Sequence, residues 1–305
     1  MVFRLSRAEY DDPARLVPRR WSRKQVFCSY AVVSLAAIMA GSLFTSESAP
    51  RHASALETVV EFDDIEEGGA LKGDAAVDFC RLLLQSSEAR LAQVNDLTAV
   101  FQKLERIDGE LQELNVMDLK VRHQPLSVYL RWHEPYSGRE IVWQEGRDEN
   151  QVSVHAGGWR RRIVPLLRVD PYSEQAREYS RRPVTQIGLW NFNRRMLSYV
   201  DQGCENPNIE VTMTQNVRLT ERECYRFSFV HPEPFSTLEF HRVNIYIDKA
   251  LQVPVGCELF AFPSPDAPDT PVLEESYAFG NLQLGVGLSD IDFSIENPEY
   301  EFGSD

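Results

Sequence analysis

The stretch "NIYIDKALQVPVGCELFAF", from Asn244 to Phe262, contains two apolar runs separated by a short polar segment. In the first run apolar and polar residues alternate with a period of two, which is typical of β-strands that bury one face. The Asp-Lys-Ala segment between the runs has the composition of a turn. The stretch therefore predicts a β-hairpin, and its side chains form no arrangement typical of a catalytic site.

The same strand pattern continues on both sides of this hairpin. Before it, the segments "LTAVFQKLERIDG", "VMDLKVRHQPLSVYLRW" and "GREIVWQEG" are rich in β-branched and aromatic residues and are broken at Asp108-Gly109, Gln124-Pro125 and Ser137-Gly138. These are predicted to be antiparallel strands joined by turns. The later part of the chain predicts strands over residues 208–218, 224–231, 238–248, 253–262 and 273–284, with "PSPDAPDTP" as a long proline-rich turn.

Two regions of the chain have helical periodicity instead. Val77, Cys80, Leu84, Ser87, Leu91 and Val94 follow one another at spacings of three and four, which predicts a helix of about 21 residues with Asp74 as its N-cap. A second region contains Pro171 and Pro183, and proline is favoured in the first turn of a helix. This region predicts two helices, over residues 172–180 and 184–202.

The order helix, strands, helical insertion, strands predicts a single α+β domain over residues 73–305 with one large curved antiparallel sheet. A sheet of so many twisted strands tends to curl, and we expect the long N-terminal helix to cross its concave face. Alternation places Leu130 and Trp132 on one face and Tyr129 and Arg131 on the other.

The N-terminus predicts attachment to a membrane. Residues 1–25 form a basic tail, and the uncharged, mostly apolar run over 26–44 is close to the roughly 20 residues that cross a bilayer. We expect a single-pass inner-membrane anchor, a flexible acidic linker over 45–72 and a periplasmic C-terminal domain. The alternative is export followed by signal cleavage near Ala55.

The charge of the chain argues against nucleic acid as a partner. The formal net charge is −14, and an acidic surface repels phosphate backbones. The basic cluster "GGWRRRI", from Gly157 to Ile163, is the short segment that comes closest to a basic patch.

Signatures of an enzyme or a metal site are weak. The chain contains no G-x-x-x-x-G-K-[ST], G-x-S-x-G or H-E-x-x-H motif. His133-Glu134 and His231 with Glu233 are the best carboxylate neighbours of histidine, but no third ligand is implied, so no metal, cofactor or enzymatic activity is predicted. Asp290 and Asp292 are predicted to share one face of a strand, where they could act as paired catalytic carboxylates. The alternative is that both are exposed residues near the C-terminus. Aromatic side chains that could bind sugars or lipids, or pack in the core, are Trp132, Trp143, Trp159 and Trp190.

The cysteines of the domain are predicted to be mostly free, buried thiols. Cys224 and Cys257 lie on strands that flank the strand over 238–248, which separates them by about 9.5 Å, beyond disulfide reach. Cys204 precedes the hairpin over 208–231 and has no partner across it, and Cys80 lies on the N-terminal helix.

Several of these segments resemble known families. "VNIYIDKALQVPVGCELFAF" and "ESYAFGNLQLGVGLSDIDFSI" resemble motifs of the LolA and LppX superfamily of lipoprotein carriers. The motifs "LTAVFQKLERIDGELQE", "VRHQPLSVYLRW", "PYSGREIVWQEGRDENQVSVHAGG" and "SRRPVTQIGL" resemble, in order, those of an uncharacterised family of bacterial exported proteins. The resemblance implies a LolA-like half-barrel, a shape associated with holding acyl chains, and it carries no catalytic residues.

The resulting hypothesis is a membrane-tethered domain that binds a lipid, an acyl chain or an acylated protein in a hydrophobic half-barrel. The alternatives are a protein-interaction or envelope-sensing module whose half-barrel is filled by its own side chains, and an unrecognised hydrolase or carbohydrate-active protein. The residues predicted to line the cavity are Leu84, Leu91, Leu130, Trp132, Phe227, Phe229, Ile245, Ile247, Leu259 and Phe279.

Overall fold

The structure is a computed structural model that describes residues 71–157, 166–234, 240–263 and 270–303. The predicted membrane anchor, nearly all of the acidic linker, Trp159 and most of the Gly157–Ile163 cluster lie outside the described residues. Within the described ranges, no helix is long and apolar enough to span a bilayer.

The described chain contains three α-helices, thirteen β-strands and several short 3-10 helices. The strands alternate buried and half-exposed residues along much of their length, as the period-two pattern requires. The helices are α1 (Asp74–Leu91), α2 (Glu174–Arg177) and α3 (Leu189–Gly203). The strands are β1 (Leu71–Lys72), β2 (Asp96–Ile107), β3 (Glu110–Leu111), β4 (Asn115–His123), β5 (Leu126–Glu134), β6 (Glu140–Gln144), β7 (Val152–His155), β8 (Leu167–Val169), β9 (Glu210–Leu219), β10 (Arg222–Val230), β11 (Arg242–Asp248), β12 (Pro254–Ala261) and β13 (Val272–Leu284).

All the strands belong to one antiparallel sheet, with the order β1-β9-β10-β11-β12-β13-β2-β4-β5-β6-β7-β8 and with β3 paired to β2. The pairing of β13 with β2 joins the two halves of the sheet. The predicted α+β architecture with one large antiparallel sheet is therefore confirmed. The sheet begins at Leu71, so residues 71 and 72 belong to β1 rather than to the linker.

The hairpin predicted over Asn244–Phe262 is formed by β11 and β12. Ile245 pairs with Cys257 and Asn244 pairs with Glu258. The Asp248 carboxylate accepts hydrogen bonds from the backbone N–H groups of Ala250 and Leu251, at 2.8 and 2.7 Å. These bonds form the turn, because a short carboxylate side chain can satisfy the backbone groups just after it.

The first helix is shorter than predicted and begins differently. It covers Asp74–Leu91, so Val94 lies beyond its end. The N-cap is Gly73 and not Asp74, and no side chain caps the helix. Gly73 has a φ of 58°, which glycine adopts without steric cost, and its N–H donates to Val211 of β9 at 2.9 Å. The tie to β9 thus decides where the helix starts.

The helical insertion also differs from the prediction. Helix α2 is a single turn, Glu174–Arg177, and the region around Val184 forms only a 3-10 helix before α3 starts at Leu189. Gly188 interrupts the helical path because its φ is 113°. We call residues 170–188, which connect β8 to α3, the strap.

One face of the sheet, the inner face, is covered by two helices rather than by α1 alone. The Arg81 guanidinium bonds Asp201 at 3.1 Å, and the Asn193 amide donates to the Leu84 carbonyl at 3.0 Å, so α1 and α3 run antiparallel. The Phe192 ring of α3 lies 5.3 Å from the Phe279 ring of β13. The helix expected over the concave face is therefore α1, and the insertion supplies α3 as a second amphipathic helix beside it.

The opposite, outer face of β4 to β6 is covered by the chain that follows β13. The Tyr300 ring stacks on the Tyr129 ring with centroids 4.0 Å apart, and Arg131 bonds Glu301 at 3.3 Å. Tyr129 and Arg131 therefore point away from the inner face, as their position in the alternation predicted.

The sheet is strongly curled at the β9–β10 end. Arg222 of β10 donates to the Leu282 carbonyl of β13 at 2.9 Å, although three strand spacings, about 14 Å in a flat sheet, separate β10 from β13. Gly256 of β12 also lies directly against the Leu219 side chain of β9. Both contacts require the β9–β10 hairpin to bend over the outer face.

Candidate functional site

The apolar part of the inner face brings together the residues that the sequence predicted as a cavity lining. All ten belong to one hydrophobic core, and none exposes more than 9% of its surface. Phe227 pairs with Ile245 across β10 and β11, and Leu130 pairs with Leu119 across β5 and β4. The predicted residues thus form a continuous apolar layer between the sheet and the helices.

Toward one end of β2 and β13, the inner face changes from apolar to charged. Phe101 pairs with Phe279, and their rings are 5.0 Å apart. Two residues further along the same face Lys103 pairs with Tyr277, and after two more Glu105 pairs with Glu275. We call the following six side chains the ionic cluster: Lys103, Glu105, Glu275 and Tyr277 of the sheet, and Arg181 and Arg182 of the strap.

The ionic cluster ties the strap to the sheet. Arg182 bonds the Glu275 carboxylate at 2.8 Å, and Arg181 approaches the same carboxylate at 3.2 Å. The Glu105 carboxylate accepts bonds from the Lys103 ammonium and from the Arg181 backbone N–H, both at 3.1 Å. Glu105 and Glu275 are only 2% and 1% exposed, and buried charges of this kind persist only when they are paired.

Tyr277 completes the cluster as a hydrogen-bond donor, and Tyr199 of α3 lies near it. The Tyr277 hydroxyl donates to Glu105 and also to Glu275. Burial, followed by the charges of Glu275 and Glu105, raises the pKa of Tyr277 well above its usual range. Burial likewise raises the pKa of Tyr199 to about 12. Both phenols therefore stay protonated at neutral pH, so neither serves as a base.

The ionic cluster was not among the sites predicted from the sequence. The sequence does contain features that point to the cluster. Lys103, Glu105 and Glu275 occupy inward positions of their strands, and the strap arginines lie in the motif "SRRPVTQIGL". Charged residues at inward positions of a sheet require partners. Which partners they have depends on the path of the strap, which no local pattern predicts.

The histidine and carboxylate pairs singled out in the sequence do not form a metal site. His133 bonds Asp118 at 2.9 Å on the surface, and His231 is buried with its Nδ1 atom 3.1 Å from the Asn206 amide. Glu233 faces Asn208 instead of His231. In the part of the chain that the structure describes, no three His, Cys, Asp or Glu side chains are grouped to hold a metal ion.

Asp290 and Asp292 do not share a strand face, which corrects that expectation. They lie in a 3-10 helix, Asp290–Phe293, because Ser289 and Asp292 form a capping box there. Asp290 bonds Arg122 at 2.6 Å and Asp292 bonds Lys120 at 2.7 Å. The hydrogen bond from Arg122 lowers the pKa of Asp290. Burial acts to raise the pKa of Asp292, but the bond from Lys120 and further contacts outweigh it and lower the pKa.

The four cysteines of the domain are free, as predicted. Cys80, Cys224 and Cys257 are buried, whereas Cys204 is only half-buried because it follows the last turn of α3. Burial raises the pKa of both Cys224 and Cys257 to about 12. These two thiols are consequently poor nucleophiles at neutral pH.

The described tryptophans have packing roles. Trp132 and Trp143 are buried in the core, and their indole N–H groups donate to Asn115 at 2.7 Å and to the Asn150 carbonyl at 3.0 Å. Trp190 is half-buried beside His123, with ring centroids 6.0 Å apart. None of the three presents an open aromatic face of the kind that a sugar site requires.

Comparison with solved structures gives matches of low sequence identity. The lipoprotein LppX of Mycobacterium tuberculosis is 12% identical over 71% of this chain and 99% of its own, with a TM-score of 0.41. A LolA superfamily protein of Nitrosomonas europaea is 10% identical over 70% and 97%, with a TM-score of 0.32. MucB in the MucA/MucB complex of Pseudomonas aeruginosa is 13% identical over 72% and 60%, with a TM-score of 0.38.

Sequence comparison identifies the family. No curated protein matches the chain. A family model described as "Protein of unknown function (DUF1571)" matches residues 94–302, which include every strand from β2 to β13, the strap and the ionic cluster. The chain therefore belongs to the DUF1571 family.

Proposed function

We propose that this protein binds the acyl chain of a lipid or of an acylated protein between the inner face of the sheet and the layer formed by α1, α3 and the strap. The proposal is for a binding protein without enzymatic activity. The observation that carries it is the way the strap is attached: ion pairs to Glu275 and a backbone hydrogen bond to Glu105 hold it over one end of an otherwise apolar face.

Attachment by ion pairs matters because it allows the strap to detach from the sheet. Arg181 and Arg182 are about one third exposed, at 31% and 32% of their side-chain surface. Water can therefore solvate both guanidinium groups when the strap lifts, and opening that also brings Glu275 into contact with water leaves no buried charge unpaired. An apolar seal at the same place would instead lose its hydrophobic stabilisation in full.

The apolar face behind the strap supplies the binding energy. A methylene group transferred from water contributes about 0.8 kcal/mol, so a chain of about a dozen carbons binds tightly even after the cost of ordering it. Because the predicted lining is closed in this structure, the ligand enters only when the strap and the helices move away from the sheet.

The second candidate is an interaction module whose interior is filled by its own side chains. The near-complete burial of all ten inner-face residues favours it. In that case an apolar ligand has no place to bind, and partners contact the outside of the domain.

Enlarging an inner-face side chain separates the two candidates. We expect Leu130→Trp to leave the purified full chain folded and to abolish binding of a dansyl-labelled fatty acid, because the indole occupies the space that the ligand takes when the layer opens. The control is Leu82→Trp, which adds the same group at a position on α1 that is 61% exposed and should bind the probe like the wild type.

If the protein is instead an interaction module with a filled interior, we expect a different result for Leu130→Trp and no probe binding by the wild type. In a filled core the larger ring overpacks, which costs about 1–3 kcal/mol of folding free energy. Unfolding of Leu130→Trp at clearly lower denaturant concentration, together with absence of probe binding by the wild type, would decide against the ligand-binding function.

A further inference from the structure

Arg195 is a cation on the inner side of α3 without a carboxylate partner. Its guanidinium lies 5.3 Å from the centroid of the Tyr277 ring and 5.4 Å from that of Phe192. Its Nε atom is buried and has no hydrogen-bond partner. Across the described ranges Arg195 forms no ion pair, although the neighbouring Arg181 and Arg182 each do.

The carboxylates nearest to this region already have other partners. Glu275 is bound by Arg181 and Arg182, and Glu105 is bound by Lys103 and the Arg181 backbone. Glu274, the third carboxylate, bonds Arg181 and Arg106. Around the ionic cluster, five cationic side chains therefore face three carboxylates, in a chain whose formal net charge is −14.

An unpaired cation beside an apolar core is costly unless an anion approaches it. The rings of Tyr277 and Phe192 offset part of this cost through cation–π contact. They leave the edge of the guanidinium, where Nε lies, without an acceptor. A carboxylate or phosphate oxygen can accept from this edge once the layer opens, because the planar guanidinium donates parallel hydrogen bonds to such groups.

We infer that Arg195 binds the anionic headgroup of a single-chain amphiphile, such as a fatty-acid carboxylate, whose chain lies on the apolar inner face. The inference rests on the proposed function. Phe279, which pairs with Phe101 on that face, touches the Phe192 ring that Arg195 covers. The charged end and the apolar surface are thus adjacent, as an amphiphile requires.

The test compares a dansyl-labelled undecanoic acid with its uncharged methyl ester on the purified full chain. We expect the wild type to bind the acid about tenfold or more tightly than the ester, since a hydrogen bond to a charged group is stronger than one to a neutral group. Arg195→Met should remove this preference while still binding the ester. The matched control is Arg194→Met, because Arg194 is exposed and lies over the Trp190 ring instead.

Displacement of the bound acid by dodecyl phosphate and by dodecanoate distinguishes the two anionic headgroups. Equal displacement identifies a general anion site, and stronger displacement by dodecanoate identifies a carboxylate site. Both results support binding at Arg195 provided that Arg195→Met abolishes the difference between acid and ester.

A second readout concerns the protein without ligand. Removing an unpaired, partly buried cation should leave the denaturant midpoint of Arg195→Met equal to or above that of the wild type. A marked decrease would show that the guanidinium is needed by the fold itself, and this would overturn the inference.

The outcomes also separate the inference from the proposed function. If the wild type binds acid and ester equally, or if Arg195→Met retains the preference for the acid, the inference is wrong and the ligand-binding function stands. If the wild type binds neither probe, both are wrong.

Discussion

At the scale of single residues, Glu275 shows how the inner face tolerates buried charge. Its carboxylate is 1% exposed and receives Arg182 at 2.8 Å and Arg181 at 3.2 Å. Burial acts to lower the pKa of Arg182, but the charge of Glu275, the hydrogen bond to it and the nearby tyrosines together outweigh burial and raise the pKa. Arg182 thus stays charged, and the pair holds the strap while leaving the apolar face beyond it intact.

Removal of Arg182 should weaken the fold at this point. We expect Arg182→Met to lower the free energy of unfolding by roughly 2 kcal/mol, because Glu275 stays buried with one cation fewer. The control Arg177→Met, an exposed position on α2, should change stability by less than about 0.5 kcal/mol. Denaturant titration of the three proteins measures both values, and equal midpoints for Arg182→Met and the wild type would contradict the role given to this pair.

At the scale of elements, the β11–β12 hairpin depends on a strand position where only glycine fits. Gly256 pairs with Tyr246 on one side and Ala278 on the other. A Cβ atom at Gly256 would lie 2.8 Å from the Tyr277 carbonyl oxygen and closer still to the Leu219 side chain. The Leu219 contact results from the β9–β10 hairpin bending over the outer face, whereas the Tyr277 oxygen belongs to the neighbouring strand β13.

The matched substitutions Gly256→Ala and Gly280→Ala test this packing. We expect Gly256→Ala to lower the free energy of unfolding by about 1–3 kcal/mol, since the backbone oxygen cannot move aside as a flexible side chain can. At Gly280 the nearest atom would be 3.5 Å away, an ordinary contact, so Gly280→Ala should be much milder. Thermal or denaturant unfolding checks the order, and an equal loss of stability in both variants would show that Gly256 is packed no more tightly than Gly280.

Elements also show what the sequence could predict. Alternation identified β11 and β12, and it placed Leu130 inward and Tyr129 outward, because a strand's side-chain period depends only on local geometry. The insertion was predicted less well. Its prolines suggested two full helices, but only the second is largely present, as α3. The first shrinks to one turn, and the positive φ of Gly188 separates the 3-10 helix around Val184 from α3.

At the scale of the whole molecule, the fold could be predicted and the ionic cluster could not. The order of helix and strands predicted the α+β class, and the quoted motifs predicted the family. The cluster joins Glu105, Glu275 and Arg182, which are far apart in the chain and meet only through the pairing of β2 with β13. The membrane anchor over residues 26–44 stays a prediction and, if present, would hold the domain beside a source of lipid.

The most direct test of the central claim is mass spectrometry of organic extracts from the purified full chain. If the inner face binds acyl chains, the wild type should retain an acyl-chain lipid in an amount approaching one molecule per chain, and Leu130→Trp, purified in the same way, should retain none. Wild-type extracts that contain no more lipid than those of Leu130→Trp would contradict the account.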